Sequence, residues 1–226
     1  MKEILNELIC LFFPKRCIVC DDIIHPTEFL CKKCTDTIIP IKVKTCLRCG
    51  NPKKLCSCKR YIYHFRAIAS PFINEDNAKQ AIYQYKFGRN IDGADYFANH
   101  MVKCFVEKFP DITIDCVVSV PRNKRKKNIH SFDHAGLLAK RVAKEMSLPY
   151  KRLLIKQRNN KVQHELSALE RFENVRHAYK ALSNNYKNIL LVDDIKTTGA
   201  TLDECARMLM LAGTENVYCL TAVISA

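Results

Sequence analysis

Apolar residues along this chain follow two rhythms. Residues 114–120 and 189–192 are short, nearly unbroken apolar runs, the pattern of strands buried on both faces. Residues 132–146 instead repeat Leu137, Leu138, Ala139 and Val142 at helical spacing, and residues 200–212 read as a helix stopped by Gly213. Residues 153–155 and 216–224 complete the strands of this half. Upstream, residues 61–70 read as a strand. Residues 74–87 then read as a helix with Ala78, Ala81, Ile82 and Tyr85 on one face, ended by Gly88. A second helix covers 92–108 and stops before Pro110. Strand and helix alternate after residue 110, which predicts an α/β domain with a parallel sheet flanked by helices. Residues 159–178 lack a period and predict a long loop, a feature usually tied to function. Residues 2–13 read as a short amphipathic helix ended by Pro14.

The N-terminal quarter follows neither rhythm. Its regular feature is cysteine: Cys17 and Cys20, Cys31 and Cys34, Cys46 and Cys49, then Cys56 and Cys58. A CxxC turn lets two thiolates grip one metal, and two such pairs complete a tetrahedral site. Eight ligands predict two structural zinc sites. Sequential pairing is the simplest arrangement, with an interleaved one open. A short segment of this kind takes its folding free energy from the metal. The chain therefore divides at residue 60, into a helix-plus-zinc-ribbon module (1–60) and an α/β domain (61–226, with 61–110 as a hood and 111–226 as the core). The disulfide alternative fits poorly. The apolar start is interrupted by Asn6 and Glu7 with no cleavage site after it, so the expected location is cytoplasmic. No apolar run approaches the ~20 residues of a membrane span.

Charge changes the picture next. The chain carries a formal +14. Residues 1–60 hold 12 basic and 6 acidic residues, and residues 116–160 hold 12 and 2. Focused charge of this kind argues for an anionic partner. Eight thiolates and two Zn²⁺ would lower the N-terminal excess to about +2, so the persistent positive field belongs to 116–160.

The most informative stretch follows the strand at 189–192. Asp193 and Asp194 are adjacent carboxylates, suited to sugar hydroxyls or a metal-bound sugar. Thr197, Thr198, Gly199, Ala200 and Thr201 then open a helix, so backbone N–H groups and hydroxyls converge on one anion. This stretch resembles the phosphoribosyl-pyrophosphate (PRPP) motif of type I phosphoribosyltransferases. The resemblance implies that 197–201 holds the ribose 5-phosphate and that Asp193 and Asp194 contact the ribose hydroxyls. It also implies that Val120, Pro121 and Arg122 form the pyrophosphate loop, beside Lys124, Arg125, Lys126 and Lys127. Arg158, Lys161, Gln163 and Arg171 would belong to a catalytic flap, and PRPP would enter with Mg²⁺.

With the paired cysteines, the stretch AKQAIYQYKFG at 78–88 and the flap text, most of the chain resembles the ComF family. In that family a zinc module precedes a phosphoribosyltransferase domain, and the family is associated with DNA uptake in competence. One departure stands out. Where the family has Arg-Gly-Phe-Asn-Gln, this chain has His130, Ser131, Phe132, Asp133 and His134. An Arg and a Gly are lost, and a carboxylate appears near a polyanion site; Asp133 is also placed to cap the next helix.

Three functions remain open at this stage. One is an enzyme transferring phosphoribose to a nitrogenous acceptor. Another is a PRPP-sensing module whose ribbon lysines, with Tyr61 and Tyr63 for stacking, bind single-stranded DNA. The last is an adaptor for a DNA-uptake helicase.

Overall fold

The computed structural model describes residues 14–56, 58, 61–87, 90–122, 132–157 and 175–225. The expected helix at 2–13, the stop at Gly88, the cations 124–127 and most of the loop at 159–178 lie outside them.

The strands are β1 (Ala67–Ala69), β2 (Phe72–Ile73), β3 (Cys116–Ser119), β4 (Tyr150–Lys151), β5 (Leu154–Lys156), β6 (Tyr179–Ala181), β7 (Asn188–Lys196) and β8 (Asn216–Ile224). The helices are α1 (Asp76–Phe87), α2 (Gly93–Lys108), α3 (His134–Glu145) and α4 (Ala200–Leu211). The main sheet runs β1-β8-β7-β3-β4, with β2 also on β8, and every pairing in it is parallel. β5 and β6 form a separate antiparallel pair.

Burial explains the central strands. Ile189, Leu190, Leu191 and Val192 are fully buried, alternating between two cores. Each such side chain stabilises the fold by roughly 1.5–3 kcal/mol. Leu190 and Val192 face a core with α1, α2 and α3, whereas Ile189 and Leu191 face one with α4. The mainly parallel sheet flanked by helices, with its small cysteine-rich N-terminal module, matches the expected α/β architecture.

Two expectations need correction, and two short strands are additional. The strand expected at 61–70 shortens to β1 at its start, where the His64 N–H is taken by the Asp203 carboxylate, and Pro71, which has no N–H for the ladder, separates β1 from β2. The expected strand at 189–192 runs on to Lys196, so Asp193 and Asp194 lie within β7 and not beyond it. β4 and β6 went unpredicted, since two or three residues show no period.

The N-terminal module contributes two knuckles, each with one antiparallel bridge, Arg16↔Ile23 and Thr45↔Pro52. Ile18, Val19, Ile24 and Ile38 join the core under α1–α3, while Cys49 joins the core under α4. Among the described residues no helix is long and apolar enough to cross a membrane.

Candidate functional site

β7 outruns its neighbour β3. Their register ends at Ser119↔Val192, while β7 continues along β8 to Lys196↔Ile224. The acidic pair therefore stands over the end of β3, where the 120–122 loop emerges. Val120 N–H donates to Val192 O at 3.0 Å and fixes that loop beside the pair.

The two carboxylates stay within reach of each other at the cavity, and Asp194 N–H donates to Asp193 Oδ1 at 2.9 Å. Asp194 meets the α1 side, where Lys86 Nζ lies 2.9 Å from Oδ2. Asp193 turns toward Lys156, Tyr179 and Cys205 of the other core. Burial, then repulsion from Asp194, pushes the Asp193 carboxyl up to about 8. Lys86 also offsets part of that rise at Asp193, so one ammonium serves both carboxyl groups.

The loop 197–201 closes the cavity. Gly199 takes φ +85°, and a Cβ there would meet the Tyr63 ring at 3.2 Å, so the position needs glycine. The turn delivers the first N–H groups of α4 to the cavity, and Ala200 N–H donates to Thr198 Oγ1 at 3.3 Å. Lys86, Asp193, Asp194 and the loop line one cavity of about 300 Å³. A phosphorylated sugar could set its phosphate on the loop and its hydroxyls on the carboxylates.

The 120–122 loop brings Arg122. Its Nη1 donates to Phe132 O at 2.7 Å and lies 3.2 Å from His134 Nδ1. His134 O accepts from Tyr85 Oη at 2.6 Å. Burial, then the neighbouring Arg122, holds the His134 imidazole below its usual range. Asp133 accepts from Gly136 N–H at 2.9 Å as the cap of α3. The carboxylate in the departing stretch is thus committed to the helix. Asp193, Asp194 and 197–201 line the cavity at the C-terminal end of β7, and Val120, bonded to Val192, leads Pro121 and Arg122 off beside it. Arg158, Lys161, Gln163 and Arg171 lie outside the described residues, as do His130 and Ser131.

Sequence reasoning missed Lys86. Its only local signal is a cation on the edge of an otherwise apolar helix face, one residue after the anchored Tyr85. Tyr63 is a correction. It is 2% exposed and donates to Thr198 O at 3.1 Å, so it is not available to stack on a base. Arg48 of the ribbon donates to Tyr63 O.

The eight cysteines form two sets in sequential order: Cys17, Cys20, Cys31 and Cys34, then Cys46, Cys49, Cys56 and Cys58. A tetrahedral Zn–S bond of ~2.3 Å separates sulfurs by ~3.8 Å. The Sγ separations are 3.6 Å for Cys20–Cys31, 3.7 Å for Cys46–Cys58 and 3.8 Å for Cys49–Cys56. These separations suit a tetrahedral zinc, and all four sulfurs of each set lie within 4.8 Å of one another.

Comparison with known proteins adds the following. Residues 8–62 match the model of the double zinc ribbon domain. The chain is 26% identical to competence protein ComFC of Bacillus subtilis, over 87% of this chain and 89% of that protein. It is 25% identical to DNA utilization protein YhgH of Salmonella typhi, over 90% and 88%. Among solved structures, it is similar to glutamine PRPP amidotransferase from B. subtilis complexed with ADP and GMP. That likeness has 23% identity and a TM-score of 0.40, over 61% of this chain and 30% of the other.

Proposed function

We propose that this chain, a relative of the ComF-type competence proteins over nearly its whole length, binds PRPP at the end of β7 and serves DNA uptake. The carrying observation is the convergence of Asp193, Asp194, Thr197, Thr198, Gly199, Ala200 and Thr201 on one cavity that Lys86 also lines. In this reading the loop holds the 5-phosphate through backbone N–H groups. Asp193 and Asp194 accept from the ribose hydroxyls. Arg122 and the cations that follow it receive the pyrophosphate. Asp194 is already paired with Lys86, so the pair suits hydroxyl recognition, and Mg²⁺ enters as part of the Mg–PRPP substrate. There it neutralises the leaving pyrophosphate.

Transfer would break the C1–O bond of PRPP and form a C1–N bond to a nitrogenous acceptor, releasing pyrophosphate. Arg158 and Arg171 are proposed to close over the bound substrate. The test is pyrophosphate release from PRPP across a panel of bases, with both zinc sites loaded. Release that depends on one acceptor class supports an enzyme. Binding without release for any acceptor leaves a PRPP sensor.

A second reading concerns the ribbon. Lys32, Lys33, Lys42, Lys44, Lys53 and Lys54 are exposed there, beside exposed Val43, Leu47 and Leu55. Cations interleaved with apolar groups suit single-stranded DNA or a protein of the uptake machinery such as a helicase. DNA affinity that falls steeply with salt supports the DNA contact; a flat dependence argues against it.

A further inference from the structure

The two four-cysteine clusters are chemically alike, but only the second reaches the phosphate loop among the contacts described. Its knuckle carries Gly50 at φ +79°, pressed so close to the sheet that a Cβ would meet Ile224 Cδ1 at 2.8 Å and Ile68 Cγ2 at 2.9 Å. Ile68 N–H also donates to Leu47 O at 2.9 Å. Next in the knuckle is Asn51, 7% exposed, whose backbone O accepts from Cys46 N–H at 2.8 Å. Its Oδ1 accepts from Lys196 Nζ at 2.7 Å, and its Nδ2 donates to Leu55 O at 3.1 Å.

Lys196 is the last residue of β7 and the residue immediately before the loop. It is 2% exposed. A buried ammonium is costly unless paired, and all four sulfurs of the second cluster act on it electrostatically. Burial works against the ammonium and holds it below the usual lysine range, while the four sulfurs favour it. A zinc ion in four thiolates would leave about two negative charges beside it, and the Asn51 hydrogen bond fixes its position. Two residues further on, Thr198 O accepts from the buried Tyr63 hydroxyl, and Arg48 of the same knuckle donates to Tyr63 O. Thr197 is therefore flanked on both sides by residues tied to the second knuckle. The first cluster packs elsewhere, with Phe29 against Tyr96 of α2 and Arg16 O accepting from Asn90.

We propose that Asn51, Lys196 and Tyr63 form a brace through which the second zinc cluster positions the phosphate loop. Phosphate binding at the loop and zinc retention at the second cluster are then coupled, and the first cluster stands outside that coupling. Lys196 is a positioning residue; its side chain is spent on the knuckle. The inference rests on the loop being the PRPP site. Coupling is reciprocal: what the zinc does for the ligand, the ligand does for the zinc.

The test uses the full chain with two zinc equivalents bound, challenged with excess chelator while released zinc is followed. PRPP with Mg²⁺ is the probe, and its binding is measured separately by calorimetry. PRPP is expected to slow the release of one equivalent by about fivefold or more and leave the other unchanged. Lys196→Met, still holding two zincs before the challenge, is expected to lose that protection. The same comparison controls for any zinc taken up by PRPP itself. Should Lys196→Met fail to fold, Tyr63→Phe keeps the ring in the core, removes only the hydroxyl, and is expected to reduce the protection. Bound PRPP that slows both equivalents alike, or neither, overturns the brace. So does full protection in the folded Lys196→Met protein. Absence of PRPP binding in calorimetry overturns the PRPP reading itself, and the brace with it.

Discussion

The two zinc knuckles use the same ligands and nearly the same sulfur spacing, yet they occupy different places in the molecule. The first, around Cys17 and Cys34, is built into the core beneath α1–α3. The second, around Cys49, belongs to the core beneath α4, and its Asn51 holds Lys196 just before the 197–201 loop. Equal metal chemistry therefore predicts unequal functional cost. Losing either zinc removes folding free energy, but only the second should reach the ligand directly.

The sharpest way to break that contrast is a matched pair of substitutions at exposed ligands. Cys56→Ser and Cys20→Ser should each leave one bound zinc by metal analysis. Cys56→Ser is expected to lower PRPP affinity by about tenfold or more, and Cys20→Ser by less than about threefold. Equal losses would reduce both knuckles to general supports.

A smaller effect is expected at Gly199, where the loop and the brace touch. Gly199→Ala must hold a left-handed conformation, at a cost of ~1–2 kcal/mol, and place a methyl against Tyr63. Denaturant unfolding should show that loss, together with weaker PRPP binding. Unchanged stability would mean that the loop is not pinned by Tyr63.

A pH-dependent effect sharpens the contrast between the two carboxylates of β7. Asp193, on the α4 side, has its carboxyl raised by burial and by Asp194, so the folded state holds that proton more tightly than the unfolded one. Its stability contribution is complete below the ordinary carboxylate range and is lost as pH rises toward about 8. Asp193→Asn, which has no charge to bury, should therefore gain in Tm relative to the parent chain between pH 4 and pH 8, approximately the unfolded and folded values. A difference that stays flat with pH would show that Asp193 is already ionised across the range.

Much of this was legible in the sequence, for local reasons. The runs at 114–120 and 189–192 had to be buried strands, and both are central in the sheet. The paired cysteines and the Thr-Thr-Gly-Ala-Thr turn are contiguous signals, and the structure places them in two clusters and at one cavity. What escaped was long-range. Lys86 meets Asp194, Asn51 meets Lys196, and Tyr63 meets Thr198, each across more than a hundred residues of chain. Nothing near Tyr63 in sequence distinguishes a buried brace from an exposed stacking platform. The pairing of cysteines was likewise undetermined by spacing, because sequential and interleaved sets use the same turns.

The measurement that tests the central claim most directly is calorimetric titration of PRPP with Mg²⁺ into the zinc-loaded chain and into its Asp194→Asn variant. The parent should bind at one site per chain. The folded variant should bind more weakly by about tenfold or more, in keeping with the ~1.5–3 kcal/mol of a hydrogen bond to a charged group. No heat of binding in the parent, or equal affinity in the two proteins, would contradict the assignment of this site.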